Sequence, residues 1–308
     1  MVLVQYAVKR LFQMVLVFFV VSAIIILMLV VTGDPIELML PPNATNQQRE
    51  EIEKRLGLDQ PWHIQYIRFL KGALHGDLGD SFYFHEPALK LVVERLPASL
   101  ELVITAISFS IIIAIPLGIL MAMWKDSLFD RLGLAGSLLG ISAPPFWVGI
   151  LLILIFVVDL EWFPSSGRGS WRHLVLPATS LALFRVALFS RLIRAGMLDV
   201  MAKDYVRTAR AKGLSEVLVV VKHALKNTLI PFVTIAGLQI GGLIAYTIVT
   251  EKIFAWPGMG RLLLLSIERL DYPVVVAYAM VTAAIFIILN FLVDVLYTVL
   301  DPRVRITH

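Results

Sequence analysis

The chain has 308 residues, of which 58% are hydrophobic and only 16% are charged, and its mean hydropathy is +0.83. Soluble domains average about 45–50% apolar and about 25% charged residues, so this composition excludes a soluble enzyme, a disordered chain and a collagen. The remaining class is a multi-pass membrane protein. The absence of cysteine excludes disulfides, thiolate metal sites and iron–sulfur clusters, and the net charge of +4 informs less than where the basic residues lie.

Six long apolar runs predict six transmembrane helices, since each run is long enough to cross about 30 Å of hydrocarbon. The alternating segments of a β-barrel are absent. The first run is longer than the apolar part of a signal peptide and is followed by no A-x-A pattern, which favours an uncleaved helix. The six predicted spans are Leu11–Val31, Ala98–Met123, Leu132–Val158, Leu174–Ile193, Leu229–Val249 and Val274–Leu300.

The distribution of Lys and Arg predicts that both termini are cytoplasmic. With the N-terminus inside, fourteen basic residues fall in cytoplasmic segments and five in the two short outer loops, as the positive-inside rule requires. The long outer segment 33–97 then contains a predicted polar helix, Gln47–Gly57, and a predicted amphipathic helix, Trp62–Leu74. We interpret residues 1–308 as one membrane domain with a basic cytoplasmic loop over 196–228.

No motif for catalysis or nucleotide binding is present. The patterns of zinc peptidases, serine hydrolases and P-loop ATPases are all absent, and no two histidines have the spacing of a helical metal pair. His75 and His85 flank Asp77 and Asp80 in one loop, where we favour solvated polar residues over a metal site. The sequence therefore predicts no catalytic, cofactor or metal site in this chain and no nucleic-acid partner. Energy for active transport would come from a partner or an ion gradient.

The basic cytoplasmic loop predicts two short helices joined by a tight turn. Asp204 is placed to cap the first helix, Gly213 to end it with a positive φ, and Ser215 to cap a second helix over Val217–Lys226. Both an anchor on lipid headgroups and a docking surface for another protein fit these residues. A face of Tyr205, Val206 and Ala209 favours the docking surface, while Arg207, Arg210 and Lys212 carry the charge.

The same loop resembles the EAA motif of ABC importers, in the form found in the permeases of dipeptide and oligopeptide importers. Gly213 and Ala209 match the glycine and the second alanine of the motif. Arg207 and Thr208 replace its usual glutamate and first alanine, and Lys226 stands where many importers have proline. The resemblance covers nearly the whole chain through further short motifs in matching order: Gly33-Asp-Pro35, Gly76-Asp-Leu-Gly79, Gly237-Leu-Gln239, Trp256-Pro-Gly-Met-Gly-Arg261, Asp271-Tyr-Pro273 and Asp301-Pro-Arg303.

This resemblance implies an all-α, type I ABC importer permease fold in the bacterial inner membrane. It implies a second, related permease, two ATP-binding subunits that hold ATP and Mg, and an extracytoplasmic binding protein that delivers peptides or similar small solutes. The loop 204–226 would couple to the ATPases through Asp204, Tyr205, Arg207, Thr208, Ala209, Arg210, Lys212 and Gly213. The outer residues Glu251, Trp256, Pro257, Gly258 and Arg261 would contact the binding protein or plug the outer mouth, although Trp256 also fits a simple interface anchor.

Four polar residues inside the predicted spans are candidates for the translocation pathway or its gate: Arg185, Gln239, Asn290 and Asp294. Each also fits a structural role, as a snorkelling cation, as packing beside glycines, or as a polar pair one turn apart that bonds to another helix. Pro144-Pro145 predicts a kink in the third span. An ion-gradient-driven transporter with Arg185 and Asp294 as its relay is the alternative function, which the absence of an internal repeat disfavours.

Overall fold

The computed structural model describes residues 60–300 together with residues 12, 15–16, 19–24, 45 and 47; the side chains of Trp62 and of residues 294–300 lie outside this description. Within this part of the chain the regular structure is helical, apart from one isolated β-bridge between Asp80 and Pro87. The chain divides into two compact units, Met1–Pro97 with Gly258–Ile287 and Ala98–Pro257 with Ile288–His308. The organisation of residues 1–308 as a single domain stays a prediction.

Nine helical segments follow one another in the range from residue 60 to residue 300. Wider π-helical backbone occurs in two places. It follows α4 directly at Leu154–Asp159 and lies within α7 at Val219–Leu225. The segments are α1 Trp62–Leu74, α2 Ala88–Met123, α3 Leu128–Ser142, α4 Pro145–Ile153, α5 Trp171–Met201, α6 Asp204–Ala211, α7 Glu216–Ile253, α8 Met259–Glu268 and α9 Tyr272–Leu300.

In the first unit, the predicted amphipathic helix is confirmed with its predicted bounds. It begins directly after Pro61 and ends before Gly76, whose φ is +78°. The following loop is fixed by the buried carboxylate of Asp271, which accepts hydrogen bonds from the Ser81 hydroxyl at 2.5 Å and the Phe82 N–H at 3.0 Å. The loop after α1 and the segment that begins at Asp271 therefore meet, although they are far apart in the chain. The predicted helix Gln47–Gly57 lies outside the described residues, except for Gln47, which is helical.

The described helices confirm the all-helical membrane architecture. Four of them, α2, α5, α7 and α9, are long and apolar enough to span a membrane, and the bent pair of α3 and α4 would make a fifth. The helices α2 and α7 begin well before the apolar runs predicted from the sequence, because a helix continues beyond the hydrocarbon into polar surroundings that hydropathy does not register. The first predicted span lies mostly outside the described residues. The count of six spans and the cytoplasmic placement of both termini stay predictions.

The third predicted span is not one continuous helix. Ala143 and Pro144 adopt extended backbone, and the helix pair on either side is bent by 101°. Proline lacks an N–H and disfavours helical backbone in the residue before it, so two consecutive prolines end α3 and start α4. The predicted kink is thus confirmed, and the run Leu132–Val158 forms two helices and not one continuous helix. At 15 residues, α3 alone is about 22 Å long and too short to cross the hydrocarbon.

In the second unit α5 is the central helix, and more of it is buried than of the other candidate spans. Small residues bring its neighbours close. A Cβ on Gly118 of α2 would lie 2.6 Å from the carbonyl oxygen of Ser190, and one on Gly140 of α3 would lie 2.9 Å from the Ala187 Cβ. Close approach through small residues is the usual means of packing membrane helices, because lipid gives no hydrophobic driving force between them.

Candidate functional site

The helix α6, which was predicted to be cytoplasmic, is a separate eight-residue element between α5 and α7. Lys203 occupies the N-cap position, and Asp204 is instead the first helical residue with its side chain almost fully exposed. The predicted cap by Asp204 is therefore wrong, although its negative charge still favours the positive end of the helix dipole. The predicted positive φ at Gly213 is observed, at +74°. It turns the chain sharply after the helix.

The inner face of α6 packs on its own chain. Val206 and Ala209 are buried with Val219 in a small hydrophobic cluster, to which Val200 and Leu214 add partly buried contacts. The prediction that Ala209 and Val206 are presented to another protein is therefore wrong for this conformation. The exposed side of the helix consists instead of Tyr205, Arg207 and Thr208, with Lys212 exposed just beyond its end.

Polar contacts fasten α6 to the start of α7. Arg210 holds the carboxylate of Glu216 through Nε at 3.1 Å and Nη2 at 2.6 Å, and this carboxylate raises the pKa of the Arg210 guanidinium. The Tyr205 hydroxyl accepts a hydrogen bond of 3.1 Å from the amide of Asn227.

The helix predicted over Val217–Lys226 is the first part of α7, and no hydrogen bond from the Ser215 side chain caps it. The loop 204–226 thus runs into the following span without a flexible joint.

An ion pair with a buried carboxylate ties the C-terminal part of α5 to the start of α3. Arg194 contacts Asp130 through Nε at 2.5 Å and Nη2 at 2.6 Å, and Asp130 is 1% exposed. The same carboxylate accepts the N–H of Asp126 at 2.9 Å, and the Ser127 hydroxyl caps the helix at the N–H of Asp130. The sequence analysis missed this pair. Its members are 64 residues apart, and no local pattern links them.

Arg185 lies near the middle of α5 and is buried, with 1% of its surface exposed. Its Nη1 donates to the Leu181 carbonyl at 3.1 Å, and its guanidinium stacks on the ring of Tyr246, 5.7 Å from the centroid. Its Nε and Nη2 have no hydrogen-bond partner among the described residues. A side chain enclosed by its own unit does not reach lipid headgroups, so the snorkelling alternative is wrong.

The other pathway candidates are partly buried or lie outside the description. Gln239 of α7 and Asn290 of α9 are both partly buried, and the side chain of Asp294 is not described. Gly237 packs closely on Val293, since a Cβ there would lie 2.6 Å from a methyl group of that residue. The roles of Gln239, Asn290 and Asp294 in the pathway stay predictions.

Three of the residues expected to face a binding protein are buried instead. Glu251 is fully buried and accepts a 2.6 Å hydrogen bond from Ser99, and Trp256 is 1% exposed and donates to the Ala98 carbonyl at 2.8 Å. These two side chains are enclosed, and Gly258 is buried as well, so a contact surface made by these three is wrong for this conformation. Pro257 and Arg261 are exposed, and their contact role stays a prediction.

The loop with the two outer histidines offers no clustered metal ligands. In the described ranges, no group of three or more His, Asp or Glu side chains could hold a metal ion. His75 bonds through Nδ1 to the Lys71 carbonyl at 2.7 Å, and Asp77 accepts the N–H of Gly79 at 3.0 Å. These contacts shape the turn between α1 and α2.

Comparison with known proteins gives consistent matches. Residues 114–306 match the family of binding-protein-dependent transport system inner membrane components, and residues 3–103 match the N-terminal family of the same membrane components. The glutathione transport system permease protein GsiC of Escherichia coli (strain K12) is 41% identical over 304 residues, covering 98% of this chain and 99% of that protein. The same protein of Salmonella paratyphi A is 40% identical over an equal length.

Solved structures show the same fold. An inward-facing structure of the MetNI methionine ABC transporter aligns with a TM-score of 0.55 at 18% identity, covering 68% of this chain and 96% of the matched chain. A second crystal form aligns with a TM-score of 0.57 at 17% identity. The family match supports the ABC importer over the ion-gradient-driven alternative. The chain belongs to the inner membrane components of binding-protein-dependent transport systems and is a permease subunit of an ABC importer.

Proposed function

We propose that this chain is one of two related but non-identical permease subunits and forms half of a translocation pathway for small peptides. Two ATP-binding subunits, which hold ATP and Mg, would sit on α6 and its counterpart in the second permease, and an extracytoplasmic binding protein would deliver the solute. Glutathione is the first cargo to test, because the permeases named for its transport are 40–41% identical to this chain over nearly their whole length. In this scheme ATP hydrolysis is the work of the partner subunits.

The observation that supports this proposal is that one face of α6 packs on its own chain while the opposite face is exposed. Its inner face is fixed by the cluster of Val206, Ala209 and Val219, and the Arg210–Glu216 pair holds its end to α7. Its outer face presents exposed side chains at Tyr205, Arg207 and Thr208. A force applied to that face is therefore passed to the adjoining spans rather than lost in a flexible loop.

The mounting of α6 suggests how movement would spread. Two residues, Ala202 and Lys203, join α6 to the central helix α5, the turn at Gly213 joins it to α7, and the Arg194–Asp130 pair links α5 to α3. Closure of the ATPases would move α6 and so tilt these spans together. For ATP to drive this step, it must bind the outward-facing state more tightly than the inward-facing one, because equal affinity shifts no population.

The first experiment purifies the tagged chain from its own membranes in mild detergent. Mass spectrometry identifies the co-purifying proteins, and vanadate-sensitive ATP hydrolysis and ATP-dependent uptake of glutathione and of dialanine are measured in proteoliposomes with the cognate binding protein. We expect a second permease, ATP-binding subunits and uptake of at least one peptide. A chain that purifies alone or as a homodimer without ATPase activity would contradict the proposal.

A charge reversal on α6 tests the docking face specifically. Arg207→Glu changes an exposed side chain without touching the packing of Val206 and Ala209, and we expect it to release the ATP-binding subunits. Lys125→Glu is the matched control, because it makes the same charge change at an exposed residue of the turn between α2 and α3. Equal retention of the ATPases by both variants would count against docking on α6.

A further inference from the structure

Three arginines of the second unit use their guanidinium groups in comparable ways. The edge formed by Nε and Nη2, called the fork below, binds both oxygens of Asp130 in Arg194 and both oxygens of Glu216 in Arg210. In Arg185 the Nη1 atom bonds to a backbone carbonyl, and the two fork atoms are the ones without a partner among the described residues. Arg185 thus presents, unfilled, the same two donors with which this unit binds carboxylates.

An unpaired buried cation is unfavourable in any protein, and most of all within a membrane span. Buried polar groups are normally hydrogen-bonded, and ionisable residues inside spans usually mark a solute or ion pathway. Packing alone does not require a guanidinium at this position, because a methionine of similar length would fill the space without the desolvation penalty. The planar, two-donor fork is matched in shape by a carboxylate, which it binds through two parallel hydrogen bonds.

The contact with Tyr246 shows where a carboxylate would approach. The Arg185 guanidinium stacks on this ring, and the tyrosine is 56% exposed. On α7, Gln239, Gly242 and Tyr246 recur at the three- and four-residue spacing of one helix face. None of the three is buried by the described chain, and a Cβ on Gly242 would meet no atom within 4 Å. We call these three residues the uncovered face of α7. The ring of Tyr246 thus connects Arg185 to this face.

We propose that the fork of Arg185 is a carboxylate-binding position for the transported solute, reached from the uncovered face of α7 when the Tyr246 ring turns aside. This inference rests on the proposed function and names the chemical group of the cargo that the pathway binds, a free carboxylate. The guanidinium charge attracts the anion to the uncovered face, and the fork then fixes its orientation. In the conformation described here the fork is enclosed, and the Tyr246 ring lies against the guanidinium.

The absence of cysteine allows a test that needs no knowledge of the cargo. Gly242→Cys places one thiol on the uncovered face, a turn away from Tyr246. The whole transporter carrying this variant is placed in lipid nanodiscs and treated with two methanethiosulfonate reagents, one with an anionic ethylsulfonate group and one with a cationic trimethylammonium group. Ser166 is exposed in the loop before α5. The variant Ser166→Cys therefore gives the ratio of the anionic to the cationic labelling rate for a thiol in open water.

At Gly242→Cys we expect the ratio of the anionic to the cationic labelling rate to be about tenfold higher than the same ratio at Ser166→Cys. The reason is that a positively charged cleft concentrates anions. Arg185→Met should abolish this preference and Arg185→Lys should keep it. Arg185→Gln serves if the methionine variant does not assemble. Tyr246→Ala should raise the rate with the anionic reagent further, since it removes the ring that lies against the guanidinium.

Three results would overturn the inference. A thiol at Gly242 that does not react lies against lipid or protein and not on a watery pathway. A reaction without charge preference would mean that a carboxylate of the second permease already neutralises Arg185. A preference that survives Arg185→Met would have another source. The labelling needs neither ATP nor uptake, so a transporter that imports peptides but lacks the preference refutes this inference alone, whereas loss of ATPase assembly refutes the proposed function.

Discussion

The central helix α5 carries a buried arginine, Arg185, and a partly buried one, Arg194, and the two have opposite kinds of partner. Near the C-terminal end of α5, Arg194 is bound by both oxygens of the Asp130 carboxylate, which also accepts the N–H of Asp126. In the middle of the helix, Arg185 has a backbone carbonyl, an aromatic ring and no acidic partner among the described residues. The difference indicates that the C-terminal part of α5 is fastened to α3, while the middle of α5 keeps two guanidinium donors without a partner among the described residues.

Breaking the Arg194–Asp130 ion pair should have the largest effect on stability. Asp130→Ala leaves the guanidinium of Arg194 without its carboxylate, and removal of one partner of a buried ion pair costs about 3–5 kcal/mol. We expect a clearly lower thermal unfolding midpoint of the purified complex and loss of coupling between ATP hydrolysis and uptake.

The double variant Asp130→Ala with Arg194→Met is the control for this prediction. Removing both charges should recover much of the stability lost in the single variant, because the remaining penalty of the unpaired cation disappears. A double variant less stable than Asp130→Ala alone would show that the ion pair does not account for the effect.

Adding a methyl group at the close contact between α2 and the C-terminal half of α5 should have the next largest effect on stability. In Gly118→Ala the new methyl group would meet the carbonyl oxygen of Ser190 at 2.6 Å and the Cβ of Ile193 at 2.8 Å, and overpacking of this kind costs about 1–3 kcal/mol. Gly136→Ala is the matched control on α3, where a Cβ meets nothing within 4 Å. Thermal unfolding of both variants measures the difference, and equal midpoints would refute the close helix contact.

The turn after α6 should be sensitive to backbone conformation rather than to bulk. A Cβ on Gly213 would meet no atom within 4 Å, but its φ of +74° costs an ordinary L-residue roughly 1–2 kcal/mol. Gly213→Val should therefore raise the number of ATP molecules hydrolysed per solute imported. Gly213→Asn, which tolerates this conformation, should stay close to the wild type. If both substitutions uncouple the transporter equally, the side-chain surface at this position matters and not the turn.

The smallest effect on stability is expected at Arg185. Arg185→Met removes an unpaired buried charge, so the unfolding midpoint should be unchanged or raised, in contrast to Arg194→Met. Uptake of a carboxylate-bearing peptide should nevertheless fall at least about tenfold, a loss of about 1.4 kcal/mol in binding. A large drop in stability would instead assign Arg185 a structural role.

Local signals in the sequence predicted the elements that depend on neighbouring residues. The amphipathic pattern between Pro61 and Gly76 gave the bounds of α1, and Gly213 gave the turn after α6. Hydropathy failed at the third span, because it averages over the two extended residues Ala143 and Pro144. It also did not show that the helix predicted over Val217–Lys226 and the span predicted over Leu229–Val249 are one continuous helix, α7.

Contacts between distant residues could not be predicted in the same way. Asp130 meets Arg194 only through the packing of α3 on α5, and the burial of Trp256 depends on the carbonyl of Ala98, 158 residues away. The face of α6 with Val206 and Ala209 was predicted to contact another protein, whereas it packs within its own chain. Its partner, Val219 of the same chain, depends on the fold and not on the pattern.

Cross-linking from α6 tests the account most directly. Thr208→Cys places the only thiol of the chain on the exposed side of the coupling helix, and a short cysteine-to-amine cross-linker is applied to the assembled transporter with Ser166→Cys as the control on the outer loop. The account predicts a product between this chain and an ATP-binding subunit from Thr208→Cys alone. The absence of that product in a complex that hydrolyses ATP, or an equal yield from the control, would contradict it.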